Sequence, residues 1–394
     1  MRIIVPSLSL AMALMLSACD LLPGNSNETE SPTPVASNSV PAATDQLGAH
    51  DPAPGAALDA GLADDQPRPV MQMQVVLDRL GFTPGVVDGK EGLSTRNALL
   101  GFQEANNLDQ TGTLDAPTQA ALAQWNNIPA TRLVTIPVDF ADEVFVKIPA
   151  KAAEQAKLTE MGYESLDEKL AERFHTTAAT LIALNPVAAP TPNPGAAPTP
   201  QASPSAAATN ELPVSTFRAG QQIRVPNVGA DQLDPAAVKD AEWRDTLALL
   251  GVGSSQPKAA KIVVSKGKGT LKAYDAAGKL VAMFTATMGS RRDPLPLGDW
   301  KILGVAHNPP FHYNPELFWD VSDKAAKQLL PPGPNGPVGV AWIDLSKPHY
   351  GIHGTPAPET IGRAESHGCV RLTNWDVARL AQMVSTSTKV EFRS

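Results

Sequence analysis

Two stretches of this chain lack the large apolar residues that a folded core requires, and they divide the sequence into separate modules. Residues 19–69 and 187–213 are rich in Pro and Ala and show no apolar periodicity. Segments of this composition cannot bury enough apolar surface to offset the entropy lost on ordering. The 394 residues are also too many for one typical domain. We therefore predict a multidomain protein with a disordered tether and a disordered insertion.

Charge and cysteine content exclude several classes of protein. The net charge is −8 at pH 7 and no block of Lys or Arg stands out, which argues against a nucleic-acid partner. Proline is abundant, with 37 residues, but it is not periodic, which excludes collagen. The two cysteines, Cys19 and Cys369, are too few for a disulfide framework or for a zinc site with several Cys ligands.

The N-terminus has the features of an export signal. Met1 and Arg2 precede an apolar run over residues 3–16, which is too short to span a bilayer as a helix. The Leu-Ser-Ala-Cys sequence that ends at Cys19 resembles the lipobox of bacterial lipoproteins. This resemblance implies a signal peptide over residues 1–18, acylation of Cys19, and a place in the bacterial periplasm, lipid-anchored to the inner or outer membrane. The alternative is an ordinary signal peptide in which Cys19 has no role.

Acylation of Cys19 would leave Cys369 without an intramolecular disulfide partner. Exported compartments are oxidising, so an unpaired thiol is a liability there unless it is buried or has a chemical task. Cys369 is therefore a candidate for chemistry.

Residues 70–128 have the pattern of a small helical module. Gly81 ends a first helix, and Ser94 and Asp115 are the predicted N-caps of a second and a third. The first helix carries a single apolar stripe formed by Val75, Val76, Leu77 and Leu80. With the Gly- and Asp-containing turns before helices two and three, the segment resembles the bacterial peptidoglycan-binding domain, an all-α three-helix module. A generic three-helix bundle would account for the apolar positions but not for the repeated turns.

Residues 129–230 are predicted to form an α+β region. Its two parts, 167–186 and 217–226, together resemble the second half of a LysM module, which binds chains of N-acetylglucosamine. The insertion over 187–213 separates them. His175, in the first part, is predicted to be a surface or capping residue.

Residues 231–260 are predicted to form a helical connector. A helix can start at Asp234 and run to about Leu250, where Gly251 ends it.

Residues 261–394 alternate short apolar strands with Gly and Pro turns, which favours a mainly-β sandwich. Thr373 and Asp376 form a capping pair at the start of one helix. The predicted strands cover residues 261–265, 270–274, 280–287, 299–306, 338–345, 350–354 and 389–392.

The residues with chemical potential lie in two short segments of this last region. They read Tyr350-Gly351-Ile352-His353-Gly354-Thr355 and Ser366-His367-Gly368-Cys369-Val370-Arg371. Only the thiolate of a cysteine attacks a carbonyl, and an imidazole nearby in space can take the proton and hold the ion pair. Two strands joined by the loop between His353 and Cys369 can place both side chains at one end of a sheet.

Other residues of these segments fit the same chemistry. Gly354 and Gly368 would leave room for a substrate backbone. The amides around Gly368 and Cys369 would form an oxyanion hole. If residues 369–371 are extended, Arg371 lies on the same side as Cys369 and would hold a substrate carboxylate.

Three alternatives compete with this interpretation. Cys369 would be a buried apolar thiol, the commonest fate of a lone cysteine. His353, His367 and Cys369 would be zinc ligands. Arg371 would be a structural ion-pair residue. We assign no role to the other histidines of this region, which are His307, His312 and His349.

The same segments resemble the signature of the L,D-transpeptidase (YkuD-type) family, and the resemblance extends over residues 261–394. Met288-Gly289, Pro296-Leu297-Gly298 and the Pro- and Gly-rich run from Leu330 to Gly339 also match. The family's Pro-Thr-Pro-x-Gly loop differs mildly here, since residues 293–298 read Asp-Pro-Leu-Pro-Leu-Gly.

This resemblance implies a cysteine enzyme, without metal or organic cofactor, that acts on peptidoglycan stem peptides. Cys369 would attack the carbonyl of the third residue and release D-alanine. His353 would be the general base, oriented by the main-chain carbonyl of Gly354, while His367 and Gly368 would support the oxyanion. Substrate binding is assigned to Arg371, Ser366 and Tyr350.

The resulting thioester would react with an amine. An amine on another stem peptide gives a 3→3 cross-link, an amine on an envelope protein tethers that protein to the wall, and water gives a carboxypeptidase. The sequence does not separate these outcomes. A non-catalytic wall-binding scaffold is a further alternative.

Overall fold

The computed structural model describes residues 66–186, 212–228, 233–318 and 326–394. The signal peptide, Cys19, the tether up to residue 65 and the insertion from 187 to 211 lie outside the described residues. The helices are α1 Pro69–Arg79, α2 Leu93–Ala105, α3 Ala116–Leu122, α4 Val138–Ala141, α5 Ala152–Gln155, α6 Leu166–Arg173, α7 Ala178–Leu184, α8 Ala241–Leu250 and α9 Asn374–Met383. The strands are β1 Thr131–Thr135, β2 Gln222–Pro226, β3 Lys261–Ser265, β4 Thr270–Tyr274, β5 Leu280–Thr285, β6 Thr287–Met288, β7 Gly298–His307, β8 Phe311–Tyr313, β9 Gln328–Leu330, β10 Ala341–Leu345, β11 Gly351–His353, β12 Val370–Arg371 and β13 Lys389–Arg393.

The N-terminal helices begin at caps that the sequence identified only in part. The Asp115 carboxylate accepts the amide N–H of Thr118 and caps α3, as predicted. The prediction for α2 was wrong, because this helix begins at Leu93 with Gly92 as its N-cap and Ser94 lies inside its first turn.

Helix α1 packs on two sides rather than along the single predicted stripe. Met71 and Val75 belong to a core shared with residues 134–228, whereas Val76 and Leu77 belong to a second core shared with strand β5. A helix enclosed in this way is apolar around most of its circumference.

Residues 81–83 and helix α2 cover the free edge of the large sheet at β5. The Thr83 amide donates to the Met283 carbonyl, and the Met283 amide donates to the Gly81 carbonyl, each at 3.0 Å. Gly101 of α2 leaves no room for a side chain, because a Cβ atom there would lie 2.9 Å from Cβ of Met283. The helical region therefore protects an edge that would otherwise expose unpaired backbone groups.

Residues 129–186 and 212–228 form a small unit around two strands. β1 and β2 pair antiparallel, with Thr131 opposite Pro226, and helices α6 and α7 lie between them in the chain. Its core includes Leu170, Phe174 and Ile223. The resemblance to a LysM module stays a prediction.

The connector helix is shorter than predicted. α8 begins at Ala241, where the Asp240 carboxylate accepts the Trp243 amide, and not at Asp234. It ends at Gly251, whose φ of +65° is the left-handed conformation expected of a helix-ending glycine.

The C-terminal region is built on a nine-stranded sheet in the order β5-β4-β3-β13-β7-β10-β11-β12-β6. The long strand β7 joins the two halves, since its first residues pair with β13 and its last with β10. The prediction of a mainly-β C-terminal domain is thus confirmed. The strands of both halves form one hydrogen-bonded series, and the predicted sandwich arrangement stays a prediction. Helix α9 packs on it, and the Thr373 hydroxyl caps this helix at the Asp376 amide as predicted.

A buried ionic cluster joins the N-terminal helices, the unit around β1 and β2, and the C-terminal region. Asp78 of α1 accepts hydrogen bonds from both terminal nitrogens of Arg379 in α9, at 3.1 and 2.9 Å. His175 places Nδ1 3.2 Å from the same carboxylate and Nε2 2.9 Å from the Leu250 carbonyl. Burial alone would raise the pKa of Asp78, but the charges of Arg379 and His175 outweigh it and hold that pKa well below its usual range.

The prediction for His175 was therefore wrong. Its side chain has no exposed surface and its ring stacks on Trp375 at 5.1 Å. The sequence around His175 is polar, which is typical of a solvated cap. The residues that enclose its ring come from distant parts of the chain, so the local sequence could not show that it is buried.

Replacing Asp78 by Asn is expected to lower the free energy of unfolding by about 3 kcal/mol, because the buried Arg379 would lose the carboxylate that accepts its hydrogen bonds. The pKa of Asp78 is lowered on folding, so its contribution is present above about pH 4, where an unfolded Asp is ionised, and is lost as the pH falls towards the native pKa. Urea unfolding at several pH values measures both effects.

The matched control is Glu104→Gln, which weakens a less buried contact of α2 with Lys272 and Tyr274. This change is expected to cost roughly 1 kcal/mol. An Asp78→Asn chain that is as stable as this control would contradict the importance of the buried cluster.

Candidate active site

Strand register places the predicted nucleophile and base on one face of the sheet. β11 and β12 are parallel, with Ile352 opposite Val370 and His353 opposite Arg371. Ile352 and Val370 point into the core, so His353 and Arg371 lie on the other face. Cys369 comes directly before β12 and two residues before Arg371. If the alternation continues to this residue, its side chain lies on that face, two positions along from His353.

His353 is held tightly at the end of β11. Its Nδ1 lies 2.7 Å from the Gly354 carbonyl oxygen, which can only accept a hydrogen bond, so Nδ1 carries the proton and Nε2 is the basic atom. Its ring is 4% exposed and stacks on Trp342, the residue opposite it on β10, at 5.5 Å. Burial, and then the charge of Arg371, lower the pKa of His353 to about 4, so the ring is neutral near neutral pH.

Cys369 is half-buried and its thiol donates to the His349 carbonyl, with 3.7 Å between sulfur and oxygen. Burial raises the pKa of the Cys369 thiol, although the Gly351 amide and the charge of Arg371 act in the opposite direction. The expected thiolate–imidazolium pair is therefore not the resting state that this geometry favours. The lowered pKa of His353 and the raised pKa of Cys369 both favour the neutral forms near pH 7.

Ser366 positions the turn that carries Cys369. The buried Ser366 hydroxyl accepts the Gly289 amide at 2.6 Å and donates to the Cys369 carbonyl at 2.7 Å. Both functions of this hydroxyl are thus used within the chain, and we reinterpret Ser366 as a positioning residue rather than a substrate-binding one. Gly289, part of the Met288-Gly289 pair noted in the sequence, supplies the amide that donates to this hydroxyl.

The two glycines are required by internal packing, and the expectation that they also make room for substrate stays a prediction. A Cβ atom on Gly354 would overlap the side-chain oxygen of Asn374, behind the sheet. Gly368 has φ of +100°, and a Cβ atom there would lie 2.5 Å from the Tyr350 ring. Each glycine lets a neighbouring group of the same chain approach the backbone.

Of the remaining predicted residues, Tyr350 lies near Cys369 and His367 contacts Phe318. Burial, followed by the charges of Asp293 and Cys369, raises the pKa of Tyr350, whose ring lies against Gly368. The edge of the half-buried His367 ring lies 5.1 Å from the Phe318 ring. Within the described ranges, no three His, Cys, Asp or Glu side chains are arranged to hold a metal ion. Nor does any helix in those ranges have the length and apolar character to cross a membrane.

Three residues that received no role in the sequence analysis belong to this site. Trp342 covers one side of His353, and the alternating pattern of β10 could have placed it on the face opposite the core. His349, with φ of +67°, supplies the carbonyl that accepts the thiol proton. Asn374 lies beneath Gly354. In the sequence, nothing distinguished it apart from its position directly after the N-cap Thr373.

The fold and the site define a β-sheet domain with a neutral histidine and a thiol on neighbouring parallel strands. Residues 259–392 match the family model YkuD, described as the L,D-transpeptidase catalytic domain. Residues 66–122 match the model of the putative peptidoglycan binding domain. Both resemblances inferred from the sequence are thereby confirmed for these residues.

Individual relatives carry the same name over shorter segments. The putative L,D-transpeptidase YkuD of Bacillus licheniformis is 54% identical over 59 residues, which are 15% of this chain and 36% of that protein. The probable L,D-transpeptidase YbiS of Escherichia coli is 42% identical over 64 residues, or 16% of this chain and 21% of that protein. The chain thus spans roughly a third and a fifth of the length of these relatives. Among solved structures, L,D-transpeptidase 3 from Mycobacterium tuberculosis is similar over 34% of this chain and 60% of that chain, with 17% identity and a TM-score of 0.29.

The alkylation rate of Cys369 by iodoacetamide is expected to rise continuously through pH 9, because only the thiolate reacts and burial raises the thiol pKa. A chain with Cys19→Ala leaves a single thiol for this measurement. Arg371→Met should slow the reaction several-fold at pH 8, since it removes a charge that favours the thiolate. A rate that is already at its plateau near pH 6 would show a resting ion pair and contradict the neutral pair.

Proposed function

We propose that this chain is a peptidoglycan L,D-transpeptidase that uses Cys369 as nucleophile and His353 as general base. The observation that supports the proposal is the parallel pairing of β11 with β12, which sets His353 opposite Arg371 and two residues from the register position of Cys369, with Nδ1 of His353 bound to the Gly354 carbonyl. The matches of residues 259–392 and 66–122 to the two families support the same substrate polymer.

The first half-reaction starts from the neutral pair. As substrate binds, the Cys369 thiol turns from the His349 carbonyl towards Nε2 of His353, which takes its proton while sulfur attacks the carbonyl of the third stem residue. The tetrahedral intermediate then collapses with cleavage of the amide bond. His353 returns the proton to the leaving amine of D-alanine, and a thioester remains on Cys369.

Backbone amides and one cation complete the site. The turn over Gly368 and Cys369, held by Ser366, presents amides that stabilise the oxyanion, which is worth roughly 3 kcal/mol per donor in measured cases. Arg371 lies opposite His353 and supplies a positive charge for the carboxylate of the stem peptide. His367 and Tyr350 line the entrance beside the thiol.

In the second half-reaction an amine attacks the thioester, and the same histidine removes its proton. A side-chain amine of a neighbouring stem peptide yields a 3→3 cross-link, and an amine of an envelope protein yields a wall-bound protein. Water yields a tripeptide, which makes the carboxypeptidase the competing outcome of the same site.

The place of the reaction follows from the N-terminal sequence. We propose that residues 1–18 are removed as a signal peptide, that Cys19 is acylated, and that the chain acts in the bacterial periplasm from the inner or outer membrane. The basis is the Leu-Ser-Ala-Cys sequence and the apolar run before it.

Incubation with a disaccharide tetrapeptide is expected to add the mass of the acyl group to Cys369 and to release D-alanine. Cys369→Ala should abolish the adduct, and His353→Ala should slow its formation by about 10²–10⁴-fold, because the base is lost. Intact-mass spectrometry with peptide mapping locates the adduct, and the ratio of cross-linked dimer to tripeptide separates transfer from hydrolysis.

Turnover that survives Cys369→Ala would contradict the mechanism. A thiol that reacts with iodoacetamide but never with the stem peptide would instead favour the wall-binding scaffold. Glu104→Gln, away from the site, serves as the control variant and should react like the parent chain.

Wall binding is best tested on the whole chain, because residues 66–122 share a core with β5 and would expose it if isolated. Cys369→Ala protein is expected to sediment with insoluble murein, and an excess of free tetrapeptide should not release it, since glycan binding lies outside the catalytic site. Release by tetrapeptide would show that the active site alone holds the wall.

A further inference from the structure

The turn that orients His353 rests on two elements behind the sheet. The Gly354 amide donates to the Val338 carbonyl at 3.0 Å, so the loop from Pro331 to Gly339 holds one end of the turn. The Asn374 side chain lies directly beneath Gly354 and Gly339, and its oxygen accepts the Val340 amide at 3.3 Å. Asn374 has no exposed surface.

Both supporting elements are bound by residues from the middle of the chain, outside the catalytic domain. The Asn374 amide donates to the Glu172 carboxylate of α6 at 2.7 Å and to the Pro334 carbonyl at 3.0 Å. The other oxygen of Glu172 accepts the Tyr163 hydroxyl at 2.5 Å. Glu172 and Tyr163 are both buried.

The loop is held by further contacts of the same region. The Met161 amide donates to the Pro332 carbonyl at 2.7 Å, and the Asn335 amide donates back to the Met161 carbonyl at 2.9 Å. The Asn335 side chain donates to the Glu168 carboxylate at 2.8 Å. Gly333, with φ of +141°, packs against the Met161 backbone too closely to accept a side chain.

We propose that Glu172 and Asn374 are positioning residues for the catalytic base, and that residues 161–172 are a structural part of the active site. The expected effect on kcat rests on the proposed function, whereas the expected effect on the tautomer of His353 does not. Glu172 fixes Asn374, Asn374 and the Pro331–Gly339 loop fix Gly354, and the Gly354 carbonyl holds the proton on Nδ1 of His353.

The consequence is a single tautomer of His353. With Nδ1 protonated, Nε2 keeps its lone pair towards the face that carries Cys369. If the Gly354 carbonyl shifts, the neutral ring is free to carry its proton on either nitrogen, and the fraction with a basic Nε2 falls. A misplacement of about 1 Å in such a site costs up to 10²-fold in rate.

The test is the tautomer of His353 in ring-¹⁵N-labelled histidine protein at pH 7, with His353→Gln used only to assign the resonance. The parent chain is expected to show Nδ1 protonated and Nε2 unprotonated. Glu172→Leu should produce a mixture of tautomers, and with the stem tetrapeptide it should lower kcat about ten-fold with KM within about two-fold. Glu172→Gln, which keeps an acceptor for Asn374, should restore the parent tautomer and most of kcat.

Thermal melts establish that each variant folds, and Asn374→Ala is the second variant because it leaves Glu172 with its Tyr163 partner. Glu104→Gln alters another contact between regions and should leave the tautomer unchanged. A parent chain protonated on Nε2, or folded Glu172→Leu and Asn374→Ala proteins with the parent tautomer, would overturn the proposal. Because the tautomer is read without substrate, a failure of the transpeptidase assay alone would count against the proposed function and not against this inference.

Discussion

The described structure depends on one buried carboxylate. Asp78 has no exposed surface, and its charge is tolerated because Arg379 and His175 both contact it. These three residues come from α1, from the middle region and from α9. A buried charge with two partners from different regions allows few alternative arrangements, since any displacement leaves an uncompensated charge in the interior. The modules predicted to be strung on linkers therefore pack as one body between residues 66 and 394.

Helix α9 connects this cluster to the catalytic site. Arg379 lies in its middle and Asn374 at its first turn, so one ten-residue helix contacts both Asp78 and the support of Gly354. The helical region that matches the peptidoglycan-binding family packs against β5, an edge strand of the nine-stranded sheet. A wall-binding surface on this helical region would hold the Cys369 thiol at a fixed distance from the polymer. A flexible tether would only raise the local concentration of the thiol near the wall.

Local patterns predicted much of the catalytic domain. Strands β3 and β4 have the predicted bounds, and the caps Asp115 and Thr373 act as the sequence indicated. What could not be predicted depends on contacts between distant residues. Asp78 and Arg379 are 301 positions apart, and a polar residue in a helix normally indicates a solvated face. Gly354 and Gly368 were singled out from the sequence, but only the structure shows that the atoms close to them belong to Asn374 and Tyr350.

The neutral resting pair changes what the protein must supply during catalysis. A preformed ion pair would hold a reactive thiolate at all times, exposed to any oxidant or electrophile. In the proposed mechanism, burial lowers the pKa of His353 and raises the pKa of the Cys369 thiol, which favours a protonated thiol at rest, and the thiolate forms only as sulfur attacks the substrate carbonyl. The barrier then depends on how well Nε2, the sulfur and the oxyanion amides are aligned beforehand. This requirement gives a physical reason for the hydrogen bonds behind Gly354 and Ser366. They fix the backbone positions on which the alignment of His353 and Cys369 depends.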